Sequence, residues 1–304
     1  MAFKAPNGAE DYIERVSNRV RDLIDAGLWD IPLERMVGWF SGFTTIDERY
    51  FAACLLDSLV YRSPTQFSAC ITSLFGGPCS LAVQSHLRIN DDVDLIKLLR
   101  DKFKDPGVRL VPVICDSDPP SKSGPLVIRR IKKQLGIADR WMIWPSQIGA
   151  AVEAGAKVII LVDDFLGSGK QAEGFCKKQQ VREMAGKAKV IYAPVVAHEK
   201  GIEHLSKFWP ELTVISAEKL TEDHHFFSQK TWDFLSDGQI KASDAEDFYI
   251  KKMLPLTGFV PGKIIPATGV GELALCFGFS HSTPNNSLPI LWFDREGWCS
   301  LLER

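Results

Sequence analysis

Apolar positions in the first hundred residues recur at helical spacing. Tyr12, Val16, Val20, Leu23 and Ile24 fall on one side of a helix that Gly27 can close. The run DERYFAACLLDSLVYRS sets Phe51, Leu55, Leu59 and Tyr61 near one face, with Pro64 as its predicted end. DDVDLIKLLRDKF predicts a further helix, stopped at Asp105-Pro106-Gly107. Trp29, Trp39 and Phe40 are expected to pack between these helices.

After Gly107 the period changes. VRLVPVICD is mostly apolar, rich in β-branched residues, and predicts a strand; a Pro/Ser/Gly loop and the helix PLVIRRIKKQLG follow. RWMIW reads as a short strand, and SQIGAAVEAG as a helix capped by Ser146 and closed by Gly155. KVIILVDD predicts a strand, KQAEGFCKKQQVREMAG a helix and KVIYAPVVA a strand, and GIEHLSKFW and LTVISA continue the alternation. Strands without polar alternation, separated by helices, predict a parallel sheet covered on both faces. The expected fold class is therefore α/β, with a doubly wound, mostly parallel sheet over residues 106–220. An N-terminal helical region (1–105) precedes it and a mixed C-terminal region (221–304) follows, with strands expected at LALCFGF and PILWF.

The composition, 45% apolar and 24% charged with a net charge of -2, is that of a globular chain, not a disordered one. It gives no global reason to expect nucleic-acid binding. No apolar run is long enough to span a bilayer, and MAFKAPNGAEDYIERV lacks the core of a secretory signal. A cytoplasmic location without membrane contact is the expectation. Seven scattered cysteines with no CxxC pair point to reduced thiols and away from a zinc site. Charge is uneven locally. Lys97 to Arg140 holds eleven Lys/Arg against five Asp/Glu, and Glu211 to Asp247 holds three against nine. Most of these are expected on solvated helix faces, but a basic middle also attracts anions.

The chemistry concentrates in VIILVDDFLGSGKQ, residues Val158 to Gln171. Its ending suggests a Walker A loop, yet the first glycine of that motif falls on Asp164 and the magnesium-binding hydroxyl on Gln171, so the reading fails at two positions. A second reading accounts for each residue. Asp163 and Asp164 end a parallel strand, where α/β sheets bind ligands, and can meet sugar hydroxyls or an outer-sphere Mg2+. Gly167, Ser168 and Gly169 let backbone approach closely, and the helix starting near Lys170 offers unpaired amides to a phosphate.

That stretch resembles the ribose-5-phosphate-binding signature of type I phosphoribosyltransferases: apolar residues, two acids, two apolar residues, then a small-residue loop. The resemblance implies that Asp163 and Asp164 bind ribose hydroxyls, with Mg2+ held indirectly, and that Gly167, Ser168, Gly169, Lys170 and Gln171 hold the 5-phosphate. The signature usually ends in Thr where this chain has Gln171. SGPLVIRR, WPSQI, VDDFLGSGKQ and HSTPNNSLPILW, in this order behind a helical front, are similar to the phosphoribosyltransferase-like effectors of prokaryotic conflict (antiphage) systems. The likeness implies transfer of ribosyl phosphate from 5-phosphoribosyl-1-diphosphate to an unidentified acceptor. It also implies a protein or nucleic-acid partner from a defence operon, met through the helical front. A catalytically silent module that senses ribose phosphate or nucleotide is the alternative.

By the same likeness, DSDPPSKSGP after the first predicted strand corresponds to the diphosphate loop: Lys122 would neutralise leaving oxygens, and Ser123 and Gly124 would donate hydrogen bonds. A plain flexible loop is equally consistent, and a cis Pro119-Pro120 bond is conceivable there. Of Arg129, Arg130, Lys132 and Lys133, at most one or two can face a site. His281, Asn285 and Asn286 in HSTPNNSLP are candidates for holding the acceptor, with ordinary turn chemistry as the competing reading. The adjacent pair His224-His225 lacks a third metal ligand in the sequence. His198 and Glu199, ending the strand KVIYAPVVA, are weak acid/base candidates.

Overall fold

A computed structural model describes residues 3–88, 94–115, 117–119, 122–263 and 265–304. Among the described residues seven strands form: β1 (Val60–Arg62), β2 (Val108–Pro112), β3 (Val158–Leu166), β4 (Lys189–His198), β5 (Thr213–Val214), β6 (Glu218–Leu220) and β7 (Phe277–Phe279). The fold is α/β and the chain divides into two compact units, Met1–Pro64 with Thr221–Arg304, and Thr65–Leu220.

The first unit is built on aromatic residues. Trp39, Phe43, Tyr50, Phe51, Phe226, Trp232 and Tyr249 are all buried in one cluster. The Trp39 indole nitrogen donates to the Ile290 carbonyl (3.0 Å), and the Tyr50 hydroxyl to that of Leu235 (2.8 Å), which gives each buried polar tip its partner. Helix Ile46–Asp57 opens with a capping box between Thr45 and Glu48. It stops four residues earlier than Tyr61, because Val60 donates to the Cys276 carbonyl (2.9 Å) and β1 pairs in parallel with β7. Pro64 therefore does not end that helix; it begins the next one, Pro64–Gly76. The segment expected as a strand at PILWF is the helix Pro289–Trp292. Proline at its first turn needs no amide partner there and carries a helical φ.

In the second unit β2, β3 and β4 lie side by side in parallel, and β5 and β6 both pair with β4 as one interrupted edge strand. On the free edge of β2, Met142 forms a parallel bridge with Leu110. After β2 the chain thus passes through helix Ser123–Leu135 to one edge, then through helix Ile148–Glu153 to β3 on the opposite side. The strand order reverses between β2 and β3. That is the topological switch point, where doubly wound sheets bind ligands. Trp141 pins the edge segment: its ring lies under Arg109 and Arg140 (4.9 and 4.7 Å to the centroid), and its indole donates to the Asp101 carbonyl (2.9 Å). Arg109 is tied to Asp105 through both guanidinium nitrogens (2.8 and 2.7 Å), and that pairing holds the Asp105 carboxyl below its ordinary range.

Ile148, Phe175 and Leu205 from the later helices pack with Ile159, Leu161 and Tyr192 on one face of the sheet. The helix Ser123–Leu135, with Val127 and Ile131 buried, covers the other, and Gly136 (φ 67°) closes it. The single long helix expected after the loop is two, Lys170–Lys178 and Val181–Ala185, separated by Gln180 in the left-handed region (φ 47°). Ser146 does not cap its helix; Pro145–Gln147 forms a short 3-10 turn in which Gln147 accepts from the Trp144 amide (2.9 Å). Helix Leu95–Arg100 is capped by Asp94 and stops short of Phe103, while Asp91, Asp92 and Val93 lie outside the described residues.

Candidate functional site

Successive residues of a strand point to opposite faces, so the two acids near the end of β3, which runs on through Phe165 and Leu166, part company. Asp163 joins the face of Ile159 and Leu161. It is 2% exposed, and both its oxygens are engaged: the Tyr192 hydroxyl donates to Oδ2 (2.7 Å) and the Asp164 amide to Oδ1 (3.0 Å). Burial, and after it the nearby Asp164 charge, holds the Asp163 carboxyl well above the usual carboxylate range; the Tyr192 bond pulls the other way, less strongly. Burial, then Asp163, pushes the Tyr192 hydroxyl up as well, so it stays a donor. Asp164 faces the other helix. Its Oδ1 accepts from Ser123 Oγ at 2.9 Å, and it is 8% exposed.

Beyond Leu166 the chain turns through Gly167, Ser168 and Gly169 into helix Lys170–Lys178. Gly169 is in the left-handed region (φ 83°), where a side chain would also meet His204 at 2.8 Å. The turn is pressed onto helix Glu199–Phe208 so tightly that a Cβ on Gly201 would lie 2.2 Å from the Gly167 carbonyl oxygen. His204 Nε2 meets Glu173 Oε2 at 2.5 Å, and Glu173 also pairs with Lys177, which ties the two helices together. The amides of the first helical turn have no intrahelical acceptor, so this clamped turn presents fixed donors and the positive end of the helix.

Lys122 immediately precedes helix Ser123–Leu135. Gly124 is buried with its Cα against the end of β2, where a Cβ would meet the Val113 carbonyl at 2.9 Å. Between this loop and the helix after the glycine turn lies a cavity of about 230 Å3, lined by Lys122, Lys170, Gln171, Phe175 and Lys178 among others. Asp118, also lining it, accepts from the Cys115 amide (2.9 Å). Asp116, Pro120 and Ser121, and with them the Pro119-Pro120 bond, lie outside the described residues. Of the basic residues on the helix, Lys132 pairs with Asp139 (2.6 Å).

The remaining candidates are distributed as follows. His281 stacks on Phe279 (centroids 5.0 Å apart). Asn286 Nδ2 donates to the Val270 carbonyl (2.7 Å), and the Asn285 carbonyl accepts from the Val270 amide (2.8 Å). These three residues belong to the aromatic unit, and the two asparagines brace a turn there. His224 Nδ1 accepts from the Thr221 amide (3.1 Å), while His225 bridges Leu275 in the backbone. His198 is buried, its Nδ1 accepting from the Lys200 amide (3.2 Å), and Glu199 lies 3.8 Å from Lys219. Among the described residues no three His, Cys, Asp or Glu gather to hold a metal, and no helix is long and apolar enough to cross a membrane. None of the seven cysteines, all among the described residues, forms a disulfide.

Sequence reasoning missed Tyr192, Gly201 and Lys178. A hydroxyl inside a strand buried on both faces has to find a partner, and that signal was available for Tyr192. Lys178 stands two turns from Lys170 and so shares its side of the helix. Nothing local marks Gly201 as the residue against the loop.

The family model described as PRTase-CE matches residues 36–304. No curated protein matches the chain.

Proposed function

Since the chain belongs to the PRTase-CE family, a phosphoribosyltransferase-like family whose CE stands for conflict effector, we propose that its α/β core, residues 106–220, binds 5-phosphoribosyl-1-diphosphate at the β2/β3 switch point. The observation that carries this reading is the convergence there of Asp164, hydrogen-bonded to Ser123 at 2.9 Å, with the clamped glycine turn that opens helix Lys170–Lys178. In this reading Asp164 binds a ribose hydroxyl, exchanging or sharing its Ser123 partner. The 5-phosphate sits on the first-turn amides and Gln171. Asp163 does not touch the sugar; locked by Tyr192, it holds the Asp164 amide and thereby aims the neighbouring carboxylate.

The chemistry is displacement at ribose C1. The bond to diphosphate breaks with its electron pair leaving on oxygen, and a lone pair of the acceptor forms the new bond to C1 as the acceptor loses its proton. Lys122 neutralises the departing oxygens, and catalysis rests on holding the sugar and stabilising that charge. Phosphoribosyltransferase-like enzymes generally use Mg2+. One carboxylate of low exposure, Asp164, fits a metal that arrives on the diphosphate and is reached through water; when bound it would supply positive charge to the leaving group. Action as an antiphage effector in the cytoplasm, with a protein or nucleic-acid partner from the same operon, is the biological setting this reading favours.

A second reading, a silent ribose-phosphate sensor, is favoured by one observation: Asp163 is withdrawn against Tyr192, which leaves a single acid to hold the ribose. Diphosphate release separates the two. Purified chain supplied with 5-phosphoribosyl-1-diphosphate, Mg2+ and lysate of cells carrying the whole operon should release diphosphate, and Lys122→Ala should slow release more than it weakens binding. Binding with no release under these conditions establishes the sensor. No thermal stabilisation by the ligand, at a concentration where a hundredfold excess over Kd gives about 2.7 kcal/mol, rejects both readings.

A further inference from the structure

The glycine turn gives its helix no cap of its own. Gly169 stands at the N-cap position of Lys170–Lys178 with φ 83°, and it has no side chain to accept from the amides that follow. The turn closes with the bond from the Glu173 amide to the Gly169 carbonyl (2.9 Å). Residues 169 and 173 therefore bound the turn whose amides lack intrahelical acceptors, and His204 touches both. Its ring lies so near Gly169 that a Cβ there would be 2.8 Å from Cδ2 and 3.0 Å from the His204 Cβ. Its Nε2 meets Glu173 Oε2 at 2.5 Å. One side chain of helix Glu199–Phe208 thus holds both the start and the close of the turn.

Glu173 is the acid of that first turn. A carboxylate is drawn to the positive end of a helix, so it competes with a phosphate for the same field. Lys177, and after it His204, holds the Glu173 carboxyl below its ordinary range, which keeps it ionised. An ionised carboxylate only accepts, so His204 Nε2 is the donor. The other oxygen is taken by Lys177, whose ammonium also lies over the Phe208 ring (5.2 Å to the centroid). Both oxygens are thereby committed to partners other than the unpaired amides. With 34% and 21% of the two side chains exposed, the His204–Glu173 pair is shielded enough to hold where a fully exposed pair contributes little. Without the histidine the carboxylate is freed within one helical turn, about 5.4 Å, of those amides. A like charge at that range near a protein surface weakens a bound anion by on the order of tenfold.

We propose that His204 is a positioning residue for the phosphate turn: it fixes the first-turn amides through Gly169 and Glu173, and it keeps the Glu173 carboxylate from competing with the ligand phosphate. The inference rests on the ribose-phosphate reading and adds to it a residue that acts through Glu173, not on the sugar. Gly201 sets how near the neighbouring helix comes; His204 sets where a charge goes.

The test is calorimetric titration of the full chain with ribose 5-phosphate, with thermal melts of the same proteins. His204→Ala is expected to weaken binding by about tenfold or more. His204→Gln, whose amide can still donate to Glu173, should restore most of that loss. Adding Glu173→Gln to His204→Ala should also recover affinity by removing the freed charge, while the melting temperature stays no higher than that of His204→Ala. A histidine that only packs the fold would not give binding recovered without stability. His204→Phe keeps a ring against Gly169 and loses the donor, and it carries the same comparison should His204→Ala not fold. If the unaltered chain binds no ribose 5-phosphate, the ribose-phosphate reading fails and the inference falls with it. If the unaltered chain binds, then undiminished binding in the His204 variants, or a loss that Glu173→Gln does not relieve, overturns the inference alone.

Discussion

The two faces of the sheet at the end of β3 receive neighbouring, chemically identical residues and treat them differently. On one face, Asp163 is sealed under helices with a tyrosine hydroxyl and an amide on its two oxygens. On the other, Asp164 accepts from a serine hydroxyl at the start of a helix. The difference teaches that strand alternation alone separates an acidic pair into one acid held by a tyrosine and an amide and a neighbour on the face where we propose that the ligand binds. A carboxyl deep in apolar surroundings costs several kcal/mol to ionise, and burial raises the Asp163 pKa well above the usual carboxylate range.

The comparison depends on the clamped turn that follows, and the largest expected effects lie there. Gly201→Ala puts a Cβ 2.2 Å from the Gly167 carbonyl. Alanine is favoured over glycine in a helix by about 1 kcal/mol, but overpacking against backbone costs about 1–3 kcal/mol or more. We expect net destabilisation in a denaturant melt together with weaker ribose-phosphate binding. A variant as stable and as tight as the unaltered chain would show that the turn is not held by this contact. At Gly169, Val should impair binding more than Ala, since both pay for the left-handed backbone and only Val adds bulk beyond the Cβ toward His204 and the phosphate. Equal, undiminished binding would contradict a phosphate cradle.

Next in size is the brace. Tyr192→Phe removes the donor to buried Asp163 Oδ2 and should cost about 1–3 kcal/mol in thermal or chemical unfolding. A loss confined to ligand binding, without loss of stability, would place Asp163 in the binding machinery instead. The smallest effect is in the pH profile. A carboxyl whose folded pKa is raised takes up protons that the unfolded chain has already lost, so stability declines as pH rises from the ordinary carboxylate range toward the raised value. Asp163→Asn carries no such proton, and its melting temperature should fall less over that interval. Parallel curves for the two proteins would remove the buried-acid half of the comparison.

The core of the site was legible in the sequence. An apolar, β-branched run ending in two acids and small residues predicts the buried parallel strand and the glycine turn into a helix that form there, and Gly27 and Gly155 close their helices where the pattern put them. Which acid faces which helix was not legible, because a strand buried on both faces shows no alternation by which to orient it. Local period also failed where long-range pairing decides. Leu59 and Tyr61 continue a helical pattern, but the chain there answers to β7, more than two hundred residues away. PILWF has the composition of a strand, yet Pro289 cannot donate to a ladder and serves as a helix start.

The central claim, that one acid of the pair binds and its neighbour braces, is tested most directly by titrating 5-phosphoribosyl-1-diphosphate into Asp163→Asn and Asp164→Asn side by side, with Mg2+. Loss of a charge-assisted hydrogen bond is worth roughly 1.5–3 kcal/mol, so Asp164→Asn should bind at least tenfold more weakly. Asp163→Asn, whose amide can still accept from the Asp164 backbone and meet the Tyr192 hydroxyl, should stay within about threefold of the unaltered chain. Equal losses in both variants, or the larger loss in Asp163→Asn, would contradict the division.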